Sequence, residues 1–116
     1  MESRPLKALT FVGSALSDLR AYPDGARREV GFQLFRLQEG RDPLDFKPMP
    51  SVGRGVGEMR IRTEGQAHRV FYVAKFEEAI YVLHTFEKKS RKTSKKDIEI
   101  GRARYRIALA ERGAWP

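Results

Sequence analysis

The sequence predicts a small α+β domain spanning residues 1–116, in which a small antiparallel sheet is combined with an N-terminal helical hairpin and a C-terminal helix. Segments that favour each structure follow the order strand, helix, helix, three strands, helix, which is typical of α+β rather than alternating folds. A chain of 116 residues fits one compact domain. Its 41% hydrophobic content is enough for a modest core.

The first elements are predicted from short apolar patterns and the residues that interrupt them. Residues 6–13 favour a strand that ends at Gly13. Ser14 is a candidate N-cap for a brief helix, and the Pro and Gly in residues 22–25 end it. A longer helix then runs to about Glu39. Its expected apolar stripe consists of Ala26, Val30, Leu34 and Leu37.

Residues 40–57 contain three prolines and four glycines and are expected to form a long loop, which in small domains is often functional or disordered. Three strands are predicted after it, at 58–64, 67–75 and 79–86. Gly65-Gln66 suits a type II′ turn between the first two strands. Phe76-Glu77-Glu78 is expected to separate the next two, with the pairing counted across Glu77-Glu78.

The last helix is predicted to start near Ser94. Ser94 and Asp97 have the spacing of a capping box. The apolar stripe of this helix is expected to consist of Ile100, Ala103, Ile107 and Ala110.

Counting from the predicted turns gives the strand pairing. Arg62 should lie opposite Arg69, and Arg60 opposite Phe71. Across the next turn, Phe71 should lie opposite His84 and Arg69 opposite Phe86. Alternation then places six side chains on one face of the sheet: Arg60, Arg62, Arg69, Phe71, His84 and Phe86. The opposite face is expected to supply core residues: Met59, Ile61, Val70, Tyr72, Ala74, Tyr81 and Leu83. No carboxylate is expected between Arg60, Arg69 and His84.

The charge of +8 is concentrated in one segment of the chain. Residues 88–106 contain nine basic and two acidic residues, whereas the remainder is almost neutral. A clustered basic segment indicates a polyanionic partner, although a solvated surface that only helps solubility is the alternative. The basic run beginning at Lys88 would extend the arginine-rich face beyond the end of the last strand.

Composition excludes several kinds of site. Cysteine is absent, which removes disulfides, thiolate metal sites and cysteine nucleophiles. No apolar run is long enough to cross a bilayer, and the first five residues lack the apolar stretch of a secretory signal; we therefore expect a cytoplasmic protein. The glycines of residues 53–57 lack the spacing of a nucleotide-binding loop. The acidic residues are too scattered to predict a metal-dependent nuclease, so no cofactor is expected.

Metal-free RNA cleavage is the chemistry that suits the predicted face. The 2′-hydroxyl of the substrate attacks the adjacent phosphate, so cations must stabilise the developing charge and a group must move protons. His84 is the candidate proton carrier by residue type. His68 is predicted on the opposite face and cannot pair with it. A lysine whose pKa is lowered by neighbouring cations is the alternative.

Three sequence runs carry a resemblance to the RelE/HigB-type toxins, in particular to the branch described as phage-derived HigB-like toxins. They lie at residues 57–62, 68–72 and 82–93, and the last, Leu-His-x-Phe-x-Lys-Lys-x-x-x-Thr, is the most specific. Arg69 matches the arginine of the family's Arg-Val-x-Tyr motif, and Arg60 matches an arginine on the preceding strand. Lys88 and Lys89 fall where the family places a second cation.

The resemblance implies a RelE-like fold and an endoribonuclease that cleaves messenger RNA, often on the ribosome. It also implies a small cognate antitoxin, commonly with a helix-turn-helix domain. The C-terminal tyrosine that serves as base in some members has no clear counterpart, since Tyr105 lies on the last helix. The identity of the general base is therefore open.

Two groups of site residues follow from these considerations. The expected catalytic residues are Arg60, Arg69, His84, Lys88 and Lys89. The expected RNA-binding residues are Arg62, Phe71, Phe86, Arg91, Lys92, Lys95 and Lys96. The alternatives are a non-catalytic RNA- or ribosome-binding module and a basic module that pairs with an acidic protein; individually, the two phenylalanines could also be ordinary core.

Overall fold

The computed structural model describes residues 5–113. The expectation about a secretory signal rests mainly on residues 1–4, which lie outside the described residues. The strands are β1 (Ala8–Phe11), β2 (Phe46–Pro48), β3 (Val56–Thr63), β4 (Gln66–Val73) and β5 (Ala79–Glu87). The helices are α1 (Ala15–Arg20), α2 (Asp24–Gln38) and α3 (Lys95–Gly113).

The predicted α+β class is confirmed. The strands form one open five-stranded sheet in the order β1-β5-β4-β3-β2. β1 pairs in parallel with β5, and the other neighbours are antiparallel. α1 and α2 follow each other directly as the N-terminal helical pair, and α3 is C-terminal. Within residues 5–113, no helix combines the length and apolar composition needed to cross a bilayer.

The proline- and glycine-rich segment contains a strand, where an irregular loop was expected. Lys47 of β2 lies opposite Glu58 of β3, which places β2 at the edge of the sheet. Pro48 is compatible with this position because an edge strand needs hydrogen bonds on one side only. The residues after β2 fold back onto α3: Arg102 donates to the carbonyl of Ser51 at 2.6 Å, and Tyr105 donates to that of Arg54 at 2.8 Å.

The β3–β4 turn is shifted by one residue from its predicted position. Thr63 pairs with Gln66, so the two-residue turn is Glu64-Gly65. Both turn residues have positive φ, 49° and 80°, as a type I′ turn requires. The partners change in consequence, and Arg60 lies opposite Arg69. The faces do not change, because moving the turn by one residue shifts the pairing by two positions.

The predicted pairing of Phe71 with His84 and of Arg69 with Phe86 is confirmed. A β-bulge then changes the register between Phe71 and Tyr72. Beyond it, Tyr81 and Leu83 pack with Phe71, so their assignment to the opposite core was wrong. The bulge inserts one extra residue in β5, and such an insertion exchanges the faces on one side of it relative to the other, here those of the β5 residues that precede His84.

Both faces of the sheet are covered by helices. α1 and α2 pack on one face, with Val30, Leu34, Met59, Val70 and Tyr72 among the buried residues. α3 packs on the other face and covers Phe71, Val73 and Leu83. The end of this second face, near the β3–β4 turn, extends beyond α3.

The predicted apolar stripe of α3 was wrong. Gly101 and Ala108 are the buried residues of this helix, while Ile107 is 45% exposed. A side chain at Gly101 would meet the ring of Phe71 at 2.8 Å, so the small residues allow close approach of the helix to the sheet. The helix start at Ser94 is confirmed, since the amide of Asp97 donates to Ser94 Oγ at 3.1 Å; the Ser94 hydroxyl in turn donates to Oδ2 of Asp97 at 2.6 Å.

Candidate functional site

The candidate site lies on the face of the sheet that α3 covers, beyond the N-terminal end of that helix. Arg60 and Arg69 are partners across β3 and β4. Just after β5, the amide of Lys88 donates to the carbonyl of Ala67 at 2.7 Å, which continues the strand pairing and places Lys88 beside Arg69. Sequence positions far apart are thereby brought to one end of the sheet, as the strand pattern predicted.

Glu58 is a carboxylate that the sequence analysis missed, and the expectation of no acidic group on this face was wrong. Its side chain is fully buried. Oε1 lies 3.7 Å from Nε of Arg60 and 3.7 Å from Nε of Arg69. Because it lies between these facing arginines, Glu58 offsets their mutual repulsion. The alternation Glu58, Arg60, Arg62 along one strand was the signal that could have revealed it.

Two further groups reach the same carboxylate. Nζ of Lys47 lies 3.9 Å from Oε1 of Glu58. The hydroxyl of Thr93 donates a hydrogen bond of 2.8 Å to Oε2. Lys47 comes from the edge strand and Thr93 from the loop before α3, so four separate segments converge on Glu58.

A basic cleft of about 420 Å³ opens beside these residues. We call it the cation cleft, and its lining consists of Arg62, Ala67, Arg69, Lys88, Lys89, Ser90 and Arg91. Five of the seven lining residues are cationic. Such a lining favours binding of phosphate groups, with the arginines suited to bidentate contacts.

Arg69 is the most enclosed cation of the cleft, with a side chain only 7% exposed. Its Nη1 donates to the carbonyl of His68 at 3.1 Å. Burial lowers the pKa of Arg69 below its usual value, and the carboxylate of Glu58 opposes that shift. The guanidinium group of Arg69 is therefore held by one hydrogen bond and attracted by a carboxylate 3.7 Å from its Nε, which suits a preorganised anion-binding residue.

The Lys88 ammonium lies in the same positive field. Burial lowers the pKa of Lys88, and Arg69 is the largest electrostatic contributor in the same direction. Lys47 and Arg60 act likewise, whereas Glu58 raises the pKa. The lowered pKa agrees with the expectation that a crowded lysine can lose its proton more readily here.

A second, smaller cleft of about 230 Å³ adjoins the loop that follows β5. Lys88, Lys89 and Ser90 line both clefts, and Lys92 lines the second only. Lys95 and Lys96 lie in the first turn of α3, exposed, and line neither cleft. The structure therefore brings Lys92 close to the cation cleft and leaves the other two lysines on the adjoining helix surface.

His84 does not line either cleft, which argues against its expected role as proton carrier. It is 5% exposed, and its Nε2 lies 2.7 Å from Oδ1 of Asp97. Its Nδ1 lies 3.5 Å from Nη1 of Arg104. Burial lowers the pKa of His84 although Asp97 opposes the shift. The residue joins β5 to the first turn of α3.

Phe71 and Phe86 are core residues, and the expectation that they stack on RNA bases is corrected. Phe71 is fully buried and Phe86 nearly so. Their rings contact each other edge to face, with centroids 5.0 Å apart, and the ring of His84 stacks on Phe86 at 4.7 Å. No ring face is left for a base, because α3 covers this part of the sheet.

Tyr22 supports the site from the opposite face of the sheet. Its hydroxyl lies 2.9 Å from the carbonyl oxygen of Arg69 and 3.1 Å from that of Phe86. Its ring packs against His68, with centroids 4.2 Å apart. His68 and His84 thus lie on opposite faces, as predicted. Burial raises the pKa of Tyr22, so the hydroxyl stays protonated and ties β4 to β5 where the cation cleft begins.

Among residues 5–113, no group of three or more His, Asp or Glu side chains is arranged to hold a metal ion. The Glu58 carboxylate is surrounded by cations instead, and its chemistry in this structure is that of a counterion.

Comparison with known proteins identifies the family. A search of curated proteins finds no significant match. The sequence profile of the phage-derived Gp49-like proteins (DUF891) matches residues 17–106. The match covers more than three quarters of the chain and includes Glu58, both partner arginines and the lysines after β5. The chain therefore belongs to the family of phage-derived Gp49-like proteins.

Proposed function

We propose that this protein is the toxin of a toxin–antitoxin system and acts as a metal-independent endoribonuclease on messenger RNA. Membership of the Gp49-like family, which is associated with such toxins, supports this proposal, as does the resemblance of its motifs to RelE/HigB-type toxins. The observation that carries it is the cation cleft, in which five basic side chains surround a space large enough for a phosphate backbone.

In the proposed reaction the 2′-hydroxyl of the RNA attacks the neighbouring phosphorus and the 5′-oxygen leaves, producing a 2′,3′-cyclic phosphate. Arg69 stabilises the charge that develops on the phosphate oxygens. Arg60 lines neither cleft, but as the partner of Arg69 across the strands it adds to the positive potential there. Lys88 accepts the proton of the 2′-hydroxyl, which its lowered pKa favours. The departing 5′-oxygen takes up a proton from solvent and leaves as a hydroxyl group. Lys89 and Arg91 bind the flanking phosphates.

The charge balance of the cleft supports an external anion as its ligand. Among the described residues, Arg60 and Arg69 share the carboxylate of Glu58 with Lys47. In the same part of the chain, no salt bridge involves Arg62, Lys88, Lys89 or Arg91. Binding of an RNA backbone would neutralise these remaining charges and release counterions.

Induced expression in bacteria tests the proposal. We expect growth arrest and loss of intact messenger RNA with the wild type, and normal growth with Arg69→Ala or with the Lys88→Ala/Lys89→Ala double variant. Arg28→Ala is the matched control, because Arg28 is exposed on α2 at the opposite side of the sheet, and it should remain toxic. Equal toxicity of all four proteins would remove the cleft from the mechanism.

Analysis of RNA ends tests the chemistry directly. Purified protein, with and without ribosomes, is incubated with a messenger RNA, and the 3′ ends of the fragments are identified. A 2′,3′-cyclic phosphate is the expected end group. Fragments with 3′-hydroxyl ends would contradict attack by the 2′-hydroxyl.

A non-catalytic RNA- or ribosome-binding module is the second candidate. The position of His84 favours this non-catalytic function, because the histidine expected to carry protons is buried against Asp97 and does not line the cleft. It predicts RNA binding that weakens steeply with salt and no cleavage products. A small helix-turn-helix protein encoded by the neighbouring reading frame would instead favour the toxin and its antitoxin.

A further inference from the structure

Glu58 has an environment unlike that of any other carboxylate described here. It is fully buried, yet Lys47 of β2, Arg60 of β3, Arg69 of β4 and Thr93 of the loop before α3 all lie within 4 Å of its oxygens. Burial of a charge is costly unless it is paired and hydrogen-bonded, and these four neighbours supply that compensation at Glu58.

The geometry around the two oxygens is unequal. Oε2 is fixed by the short hydrogen bond from Thr93. Oε1 forms no hydrogen bond, and neither do the buried Nε atoms of Arg60 and Arg69 that face it. The arginines are thus attracted to the carboxylate at 3.7 Å without being locked to it. Arg69 nevertheless lines the cation cleft. Glu58 therefore restrains the Nε side of the Arg69 guanidinium group, while the rest of that group remains available to a ligand.

The link to Thr93 extends this restraint to the loop. Residues 88–91 line the cation cleft, and Thr93 lies two residues further along, two residues before α3 begins at Lys95. At the other end of the same segment, Lys88 is held by its backbone hydrogen bond to Ala67. One carboxylate therefore sets the position of the strand-borne arginines relative to the loop-borne lysines.

We infer that Glu58 is the positioning residue of the cation cleft, ordering Arg60, Arg69 and the loop after β5 for contact with an RNA phosphate. This inference rests on the proposed function of the cleft. It assigns Glu58 no contact with substrate, because its side chain is fully enclosed by the groups that it orders. Reactions that depend on such positioning lose about 10²-fold in rate when reacting groups are displaced by about 1 Å.

The principal variant is Glu58→Gln, which keeps the shape and removes the charge. Because a negative charge is lost, RNA should bind at least as tightly as to the wild type. Single-turnover cleavage should nevertheless fall about 10²-fold. This separation of binding from rate distinguishes positioning from bulk electrostatics, which would leave the rate unchanged or raised.

The pH profile separates positioning from direct proton transfer. Glu58 raises the pKa of Lys88, whereas Arg69, Arg60 and Lys47 lower it. In Glu58→Gln the rising limb of the rate should therefore persist and move to lower pH. If the rising limb of the pH profile disappears in Glu58→Gln, Glu58 itself is the proton acceptor and the inference is overturned. A Glu58→Gln protein that cleaves at the wild-type rate would overturn it as well.

A measurement independent of cleavage uses the Nε–H signals of Arg60 and Arg69 in ¹H–¹⁵N NMR spectra. In the wild type these signals should be dispersed and protected from solvent exchange, and in Glu58→Gln they should lose both properties, while the signal of exposed Arg28 stays unchanged. Unchanged signals for Arg60 and Arg69 would refute the inference. If the wild type does not cleave RNA but the signals change, the proposed function fails and the ordering role stands.

A second variant covers the case in which Glu58→Gln does not fold. Thr93→Val removes only the hydroxyl that fixes Oε2 and changes a partly exposed position. It should shift the same two arginine signals and lower cleavage less than Glu58→Gln does. Wild-type signals in a folded Thr93→Val protein would contradict the coupling between the loop and the arginines.

Discussion

Arg69 combines two properties that are usually opposed in a cation, since it is almost enclosed and still lines an open cleft. Arg69 is enclosed because β4 is a central strand of the sheet. It still lines the cleft because α3 no longer covers the sheet at this point. An arginine in such a position loses little conformational freedom on binding a phosphate, which favours a preorganised contact.

Lys88 carries the residue-scale prediction about pH. Its lowered pKa means that a larger fraction is deprotonated at a given pH than for an ordinary lysine. The rate of RNA cleavage should therefore rise with pH until Lys88 is fully deprotonated. Lys88→Arg keeps the positive charge but holds its proton, so it should retain RNA binding and lose about 10²- to 10⁴-fold in rate.

The measurement is the single-turnover rate on a short RNA between pH 6 and 10, with Lys89→Arg as the matched control. Lys89 is exposed, and its replacement should leave the pH profile in place. A Lys88→Arg protein that keeps the same rising limb would show that another group accepts the proton.

At the scale of the element, α3 depends on the absence of a side chain at one position. Gly101 lies against Phe71 and Val52, and a Cβ there would approach them to 2.8 and 2.9 Å. These neighbours belong to the core under the helix, where they have little room to move. The closeness of α3 to the sheet in turn sets the positions of Asp97 and the basic loop.

Substitution by alanine at two helical glycines tests this dependence. Gly31→Ala in α2 places the new methyl group in open space, and should stabilise the protein by about 0.5–1 kcal/mol through helix propensity. Gly101→Ala gains the same propensity but overpacks the core, at a cost of about 1–3 kcal/mol, and should be net destabilising. The free energy of unfolding from urea denaturation measures both.

The test is which of the two variants, Gly31→Ala or Gly101→Ala, has the larger free energy of unfolding. A Gly101→Ala protein as stable as Gly31→Ala would mean that α3 can move away from Phe71 without loss. In that case the helix would not be a fixed support for the loop after β5.

At the scale of the whole molecule, helices on both faces bury a histidine on each side of the sheet. Burial lowers the pKa of both from the usual 6.5. Glu87 opposes and Arg69 assists the shift of His68, whereas Asp97 and Asp18 oppose and Arg104 assists that of His84. The unfolded chain therefore takes up these protons at higher pH than the folded protein does.

The sign of the pH effect on stability follows from this difference. Well above pH 6.5 the two histidines are neutral in both the folded and the unfolded protein, so they do not lower the free energy of unfolding. As pH falls below 6.5, the unfolded state binds protons first, and stability declines until the folded-state pKa values are reached. The melting temperature should accordingly be lower at pH 5.5 than at pH 7.5, and His68→Phe should reduce that difference. An unchanged difference in His68→Phe would exclude His68 as a contributor.

Much of the site follows from local patterns in the chain. Arg60, Arg62 and Arg69 share a face because strand residues alternate, and that parity survived the misplaced turn. The helix start at Ser94 was also predictable, since an N-cap acts over few residues. The pairing of Phe71 with His84 agrees for another reason: β4 ends at Val73, so the connection to β5 is longer than the predicted turn, and the bulge in β5 offsets the difference.

Patterns local to the chain were therefore enough for the order of the elements other than β2, the shared face of the arginines and the concentration of basic residues after β5. The folded protein was needed to show that Glu58 lies among these cations, that α3 covers Phe71 and Phe86, and that Asp97 holds His84 away from the cleft. Alternation and capping depend on near neighbours along the chain, whereas burial and ion pairing depend on how closely distant segments approach, and here a bulge in β5 and a missing side chain at Gly101 set that approach.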